Sequence, residues 1–390
     1  MVRLLCRWNA QPRLSEATRD RQRLRPSLWF LVLWVAGWLP AGRWGLAQSD
    51  SDLPAKLSRL LQRFPEADRD RDGLWSLEEA ELFAQKLPGG LGQKKPAKAA
   101  AANGQVRSKP TMTDVVYGPH ARNKLDFWQA GTAEPAPLVV FIHGGGFVSG
   151  DKAKIGGDPM IEACLREGVS FAAINYRYRT MAPIQDILRD CARAIQFLRD
   201  QASPWRIDPQ RIAAYGGSAG AGTALWLAFH DDLADPNHPD PVLRQSTRLR
   251  CAGANSGQFS YDVVRWIELF GQETASRFGD EEEALAFYGM QSLADLYSAR
   301  GKELRADCDM LGLISADDPP VFLACPRSGE PVEDRGAYLH HPKHSQIIHQ
   351  RCRELGIDVI ASLPGLEIQP PEAGPQSLAD FLLHHLRAQP

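Results

Sequence analysis

The larger part of the sequence predicts an α/β fold, a mainly parallel sheet with helices on both faces. Two observations carry this. Four short apolar runs, "APLVVFIHGGGF", "VSFAAINYRY", "RIAAYGGS" and "PPVFLAC", are rich in Val, Ile, Phe and Ala, as strands buried on both faces are. Between them lie stretches with helical spacing, including "APIQDILRDCARAIQFLRDQA" and "SQIIHQRCRELG". Such alternation is what parallel crossover connections require. The 390 residues suffice for one large core and additional units. A formal net charge of −2 gives no bulk electrostatic case for a nucleic-acid partner.

Taken in order, the chain opens with Arg3, Arg7, Arg13, Arg19, Arg21, Arg23 and Arg25, followed by the apolar run "SLWFLVLWVAGWLP". That run is short for a bilayer span and suits the core of a signal peptide. Gly45 and Ala47 supply the small residues before a cut after Ala47. Residues 1–47 are therefore expected to be a signal peptide, with the mature chain exported to a periplasmic or extracellular location. Membrane contact is expected only if the leader stays uncleaved. Cys6 lies in the leader, and the other six cysteines are scattered without a CxxC or metal-ligand spacing. They are expected to be mainly small buried hydrophobes.

Residues 48–92 form a short helical unit around "DRDRDGLWSLEE". Asp68, Asp70 and Asp72 fall at positions 1, 3 and 5 of a twelve-residue EF-hand loop, and Gly73 supplies the turn at position 6. Leu74 offers its backbone carbonyl, Ser76 binds directly or through water, and Glu79 closes position 12 with both oxygens. Calcium, a hard cation that takes six to eight oxygens, is the expected cofactor of this unit. The flanks "LSRLLQRF" and "LEEAELFAQKL" have the spacing of entering and leaving helices. The stretch "GGLGQKKPAKAAAANGQVRSKP", residues 89–110, is rich in Gly, Ala, Lys and Pro, and residues 93–112 read as a flexible linker. Residues 113–390 hold the α/β domain.

Two motifs in that domain carry chemistry. "FIHGGGFVSGDK" puts His143-Gly144-Gly145-Gly146 at the end of a strand, where glycines let bare N–H groups face an anionic oxygen. "RIAAYGGSAGAGTALWLAFH" sets Ser218 in a Gly-x-Ser-x-Gly turn between a strand and a helix. The helix N-terminus there favours developing negative charge.

With "NYRY", "IDPQRIAAYGGSAGAG" and "DDPPVFL", these motifs resemble the α/β-hydrolase superfamily, in particular its carboxylesterase and hormone-sensitive-lipase-like group, from about Asp114 to Ala388. The resemblance implies the α/β-hydrolase fold, Ser218 as nucleophile, and an oxyanion hole made by the N–H groups of Gly145, Gly146 and Ala219. His143 shapes the loop and is not the base. The implied activity is hydrolysis of a small-molecule or polysaccharide ester, with no cofactor for the hydrolysis itself.

The triad partners depart from that pattern. Family members place the histidine soon after a Pro-Gly turn at the last strand, but "VIASLPGLEIQPPEAGP" contains none. The family's aspartate position aligns with Gly329, with Glu330 adjacent. His384 and His385 lie within a helical stretch away from the elbow. "YLHHPKHSQIIHQ" offers His340, His341, His344 and His349 instead. His341, ahead of Pro342, is expected to reach the cleft, with Glu330 or Asp334 as the orienting acid. Asp317 and Asp318 read as a turn leading into the next strand. The region from Ser260 to Ser298 is expected to cap the substrate pocket. The rival reading is a calcium-dependent binding or scaffold protein that keeps the fold without the triad histidine. A further alternative is acyl transfer in place of hydrolysis.

Overall fold

In the computed structural model, residues 108–387 are described, and they belong to the unit Val106–Pro390. The predicted leader, the EF-hand unit and nearly all of the predicted linker lie outside the described residues. The last linker residues do not behave as a linker. The backbone N–H and Oγ of Ser108 donate to the Glu162 carboxylate at 2.7 and 3.1 Å, and Trp128 Nε1 donates to the Ser108 carbonyl at 3.0 Å. The first strand already begins at Met112.

Eight strands form one sheet: β1 Met112–Val116, β2 Lys124–Trp128, β3 Ala136–Ile142, β4 Ser170–Ile174, β5 Ile207–Gly217, β6 Cys251–Asn255, β7 Val321–Ala324 and β8 Val359–Ser362. Their spatial order is β1-β2-β4-β3-β5-β6-β7-β8. The pairs β1–β2 and β2–β4 are antiparallel, and every pair from β4–β3 to β7–β8 is parallel. The four predicted apolar runs are β3, β4, β5 and β7.

Successive side chains on these strands serve two cores. Val140, Ile142, Ala172 and Ala214 pack with helices Ile184–Asp200 and Ala219–Phe229 on one face. Val139, Phe171, Ala213 and Phe322 pack with helices Pro159–Arg166 and Leu378–Arg387 on the other. Strand β6, "CAGAN", carries too little bulk to announce itself in the sequence. Its Gly253 lies under Leu378, whose Cδ1 would stand 2.1 Å from a Cβ there and would have to move.

Between β6 and β7 the chain builds a cap from helices Trp266–Phe270, Gln272–Phe278, Glu281–Tyr288, Leu293–Tyr297 and Ala299–Asp307. The buried Arg305 guanidinium holds both Asp262 oxygens, at 2.8 and 2.7 Å, and fixes the cap's two ends to each other. Cys164, Cys191, Cys251, Cys308, Cys325 and Cys352 are buried and unpaired. Among the described residues, no helix is long and apolar enough to cross a membrane.

Candidate active site

The turn at Ser218 follows from close backbone approaches. Strand β5 ends at Gly217 and helix Ala219–Phe229 begins one residue after Ser218. The reversal puts Ser218 at φ 53°, ψ −121°, a region that side-chain-bearing residues seldom occupy. The flanking glycines make room for it. A Cβ on Gly216 would lie 2.4 Å from the Gly220 carbonyl carbon, and one on Gly220 would lie 2.0 Å from Ile142 O. The Ser218 N–H donates to Asn255 O at 2.9 Å, which leaves the hydroxyl free to face the cavity.

The glycine loop after β3 is clamped from beneath. Tyr176 OH donates to His143 O and Tyr178 OH to Gly150 O, so the two tyrosines of "NYRY" pin both ends of the loop. Arg179 N–H donates to Phe147 O at 2.7 Å. His143 is buried and stacked on Tyr176, with Nδ1 bonded to Gly144 O at 2.8 Å. Burial pushes its pKa down to about 4, so it is a neutral structural ring. Gly145 and Gly146 adopt φ +114° and +60°, and neither N–H has an acceptor among the described residues. The Ala219 N–H, in the first turn of its helix, has no intrahelical acceptor either. Gly145, Gly146, Ser218 and Ala219 all line one cavity.

The imidazole that lies beside Ser218 is not the one the sequence reading favoured. His340, the last residue of helix Arg335–His340, places Nε2 at 2.8 Å from Ser218 Oγ. His341 turns away, with Nε2 bonded to Glu330 O at 3.0 Å and Nδ1 accepting from Lys343 N. Pro342 explains the division. The residue before a proline is pushed to an extended conformation, so the helix stops at His340, and His341 sits at φ −64°, ψ 138°, facing another direction.

The two acids considered for the triad do not orient the base. Glu330 is exposed and offers its backbone carbonyl to His341. Asp334 caps the N-terminus of the helix by accepting from Ala337 N at 2.7 Å. The His340 Nδ1–H bonds instead to Gly336 O at 3.1 Å, one turn back in its own helix. That bond selects the tautomer whose Nε2 lone pair faces the serine. Burial lowers the His340 pKa below the usual imidazole value and Arg327 adds to this, while the Gly336 carbonyl opposes both.

At Gly329, the position that the resemblance aligns with the family's acid, the backbone is closely packed. A Cβ on Gly329 would stand 2.1 Å from Gly365 O, and one on Gly365 would stand 2.3 Å from Arg327 O. Backbone meets backbone there, and no side chain fits. Of the other predicted histidines, His344 is fully buried, and burial pushes its pKa down to about 3. His349 lies on helix Lys343–Glu354. Neither has a recorded contact with Ser218.

Ser218 and His340 open onto a cavity of about 750 Å³. Its walls are mainly apolar, with Phe147, Tyr261, Trp266, Phe278, Phe287 and Tyr338 contributing rings. Among the described residues, no group of three or more His, Cys, Asp or Glu is placed to hold a metal ion.

A serine on a strained strand-to-helix turn, glycine N–H groups beside it and an imidazole in hydrogen-bond reach make the arrangement expected on an α/β-hydrolase fold. The chain belongs to the BD-FAE family, whose model matches residues 125–324. The match takes in Ser218 and the glycine loop but stops short of His340. A probable isoprenylcysteine alpha-carbonyl methylesterase of Arabidopsis thaliana, ICMEL2, is 34% identical over 164 residues, which are 42% of this chain and 38% of that protein. The probable carboxylic ester hydrolase LipM of Mycobacterium tuberculosis (strain ATCC 25618 / H37Rv) is 28% identical over 314 residues, 79% of this chain and 66% of LipM. The chain spans 32% to 38% of the length of the first plant methylesterases it matches. Among solved structures, a truncated form of a carbohydrate esterase from gut microbiota superposes with a TM-score of 0.52 at 14% identity, covering 72% of this chain and 98% of that one. At that identity the superposition establishes the fold.

Proposed function

We propose that this chain hydrolyses carboxylic esters by a Ser218–His340 dyad. The observation that carries the reading is the 2.8 Å contact between Ser218 Oγ and His340 Nε2 at the wall of a large apolar cavity. In the proposed reaction Ser218 Oγ attacks the ester carbonyl while its proton passes to His340 Nε2. The carbonyl oxygen becomes an oxyanion held by the N–H groups of Gly145, Gly146 and Ala219. His340 returns the proton to the leaving alkoxide, and the alcohol departs. Water then attacks the acyl-enzyme with His340 again as base, releasing the acid and restoring Ser218. The Gly336 carbonyl does the orienting work that a carboxylate does in a triad, with less stabilisation of the imidazolium. The aromatic cavity suits an ester with one bulky apolar group, and a polysaccharide ester remains the proposed natural context for an exported chain.

Fluorophosphonate labelling tests the reading. Covalent modification that disappears in Ser218→Ala, together with loss of aryl-ester hydrolysis, supports it. An unlabelled wild-type chain favours the rival, a binding or scaffold protein on this fold. Product analysis with added alcohol separates hydrolysis from acyl transfer.

Two further proposals rest on the sequence alone. Residues 1–47 direct export, which the N-terminal sequence of the mature protein checks. Residues 68–79 bind calcium through Asp68, Asp70, Asp72, Leu74, Ser76 and Glu79. Calorimetry on the full chain is expected to show calcium uptake that Glu79→Gln weakens, and no heat at millimolar calcium would remove the proposal.

A further inference from the structure

The helix that carries the base has six residues, Arg335–His340, too few to be stable from its own hydrogen bonds. It is held by side chains from elsewhere. At its start, Arg335 reaches Glu283 and the Phe278 carbonyl of the cap. At its end, the last three carbonyls each receive a donor. His344 Nε2 donates to Tyr338 O at 2.9 Å, Gln258 Nε2 to Leu339 O at 2.8 Å, and Cys325 Sγ to His340 O at 3.3 Å.

Of these three donors, Gln258 comes from the segment that also holds the nucleophile. Asn255 O accepts the Ser218 N–H at 2.9 Å. Ser256 follows at φ 52°, tied to β7 through Ala324 O at 2.7 Å. At Gly257 a Cβ would be 2.9 Å from Ala221 Cβ, so the segment lies directly against the helix behind the elbow. Gln258 then reaches across to Leu339, the residue before His340. The stretch Asn255–Gln258 therefore joins the backbone of the nucleophile to the backbone of the base. Gln258 is buried, so water does not readily replace its amide.

We propose that Gln258 is a positioning residue for the His340 base: its amide sets the separation of Ser218 and His340 by tethering the base helix to the loop that fixes the elbow. This rests on the dyad reading. It matters more here than it would in a triad, because among the described residues the imidazole is held from behind by the Gly336 carbonyl and by no carboxylate.

The test is a double-mutant cycle on the full chain with an activated aryl ester, which leaves measurable turnover from the oxyanion hole when the base is gone. Gln258→Met keeps size and removes the donor. It is expected to lower kcat about ten- to a hundredfold, the scale of an ångström-level misplacement, with KM changed less than about twofold. In the His340→Ala background the same substitution should change kcat by less than about twofold. Gln258→Glu, which turns an oxygen toward Leu339 O, serves if the Met variant does not fold. An equal fall in both backgrounds, or a rise in KM alone, overturns the proposal, since a purely structural or substrate-contacting Gln258 acts without His340. Loss of activity in His340→Ala with none in Gln258→Met overturns this proposal alone. Full activity in His340→Ala overturns the dyad and this proposal with it.

Discussion

Adjacent histidines on either side of a helix end make a sharp experiment: His340→Ala against His341→Ala. His340 Nε2 is 2.8 Å from Ser218 Oγ, and no other side chain among the described residues bonds to that hydroxyl. A general base contributes about 10²–10⁴ in rate. At 1.36 kcal/mol per tenfold, its removal raises the barrier by about 2.7–5.4 kcal/mol. The absence of an orienting carboxylate places the loss short of the larger penalties seen in full triads. His341 contributes a bond to Glu330 O at 3.0 Å and an edge contact with Phe270. Truncating it leaves the Glu330 carbonyl without its donor and the Lys343 N–H without its acceptor, a stability cost of about 1–3 kcal/mol for each group left buried, with turnover of the folded fraction unchanged. Steady-state hydrolysis of a short-chain aryl ester, read beside thermal unfolding of both variants, separates the two. His340→Ala should lose kcat with little change in unfolding temperature, and His341→Ala should do the reverse. If His341→Ala loses turnover as severely as His340→Ala, or His340→Ala keeps it, the assignment of the base by proximity is wrong.

Two other consequences are open to measurement. Burial lowers the His340 pKa, so its base form is retained to lower pH than a free imidazole's, and kcat/KM should fall only as pH drops through that lowered value. Arg327→Ala removes a positive charge that favours the neutral ring, so the acidic limb should move up, and a downward move would contradict the electrostatic account. Gly220→Ala sets a Cβ 2.0 Å from Ile142 O, which the backbone of β3 cannot yield. The elbow must shift, and the variant should lose fluorophosphonate labelling and unfold at lower temperature; a labelled, stable Gly220→Ala would show the turn to be more pliant than its packing implies.

What the sequence determined by itself was whatever depends on neighbours along the chain. Alternating apolar runs specify buried strands and crossover helices because strand and helix periods are local properties, and β3, β4, β5 and β7 stand where "APLVVFI", "SFAAI", "RIAAYGG" and "VFLA" predict. Glycines around Ser218 and after His143 were equally legible, since a sharp turn and a bare N–H impose residue types at fixed offsets. Strand β6 was not legible: its small residues carry little apolar signal, and Gly253 packs against Leu378, far along the chain.

Only the tertiary structure decided which imidazole meets the serine. "HH" at 340 and 341 offers two rings, and their choice depends on where a helix ends before Pro342 and on which side the elbow loop holds that helix. It also decided that the Gly336 carbonyl supports the ring, and that backbone packing at Gly329 leaves no room for a side chain where the resemblance aligns the family's acid. Side chains brought together across the sheet leave no periodic trace in sequence, because their meeting is set by packing and not by spacing along the chain.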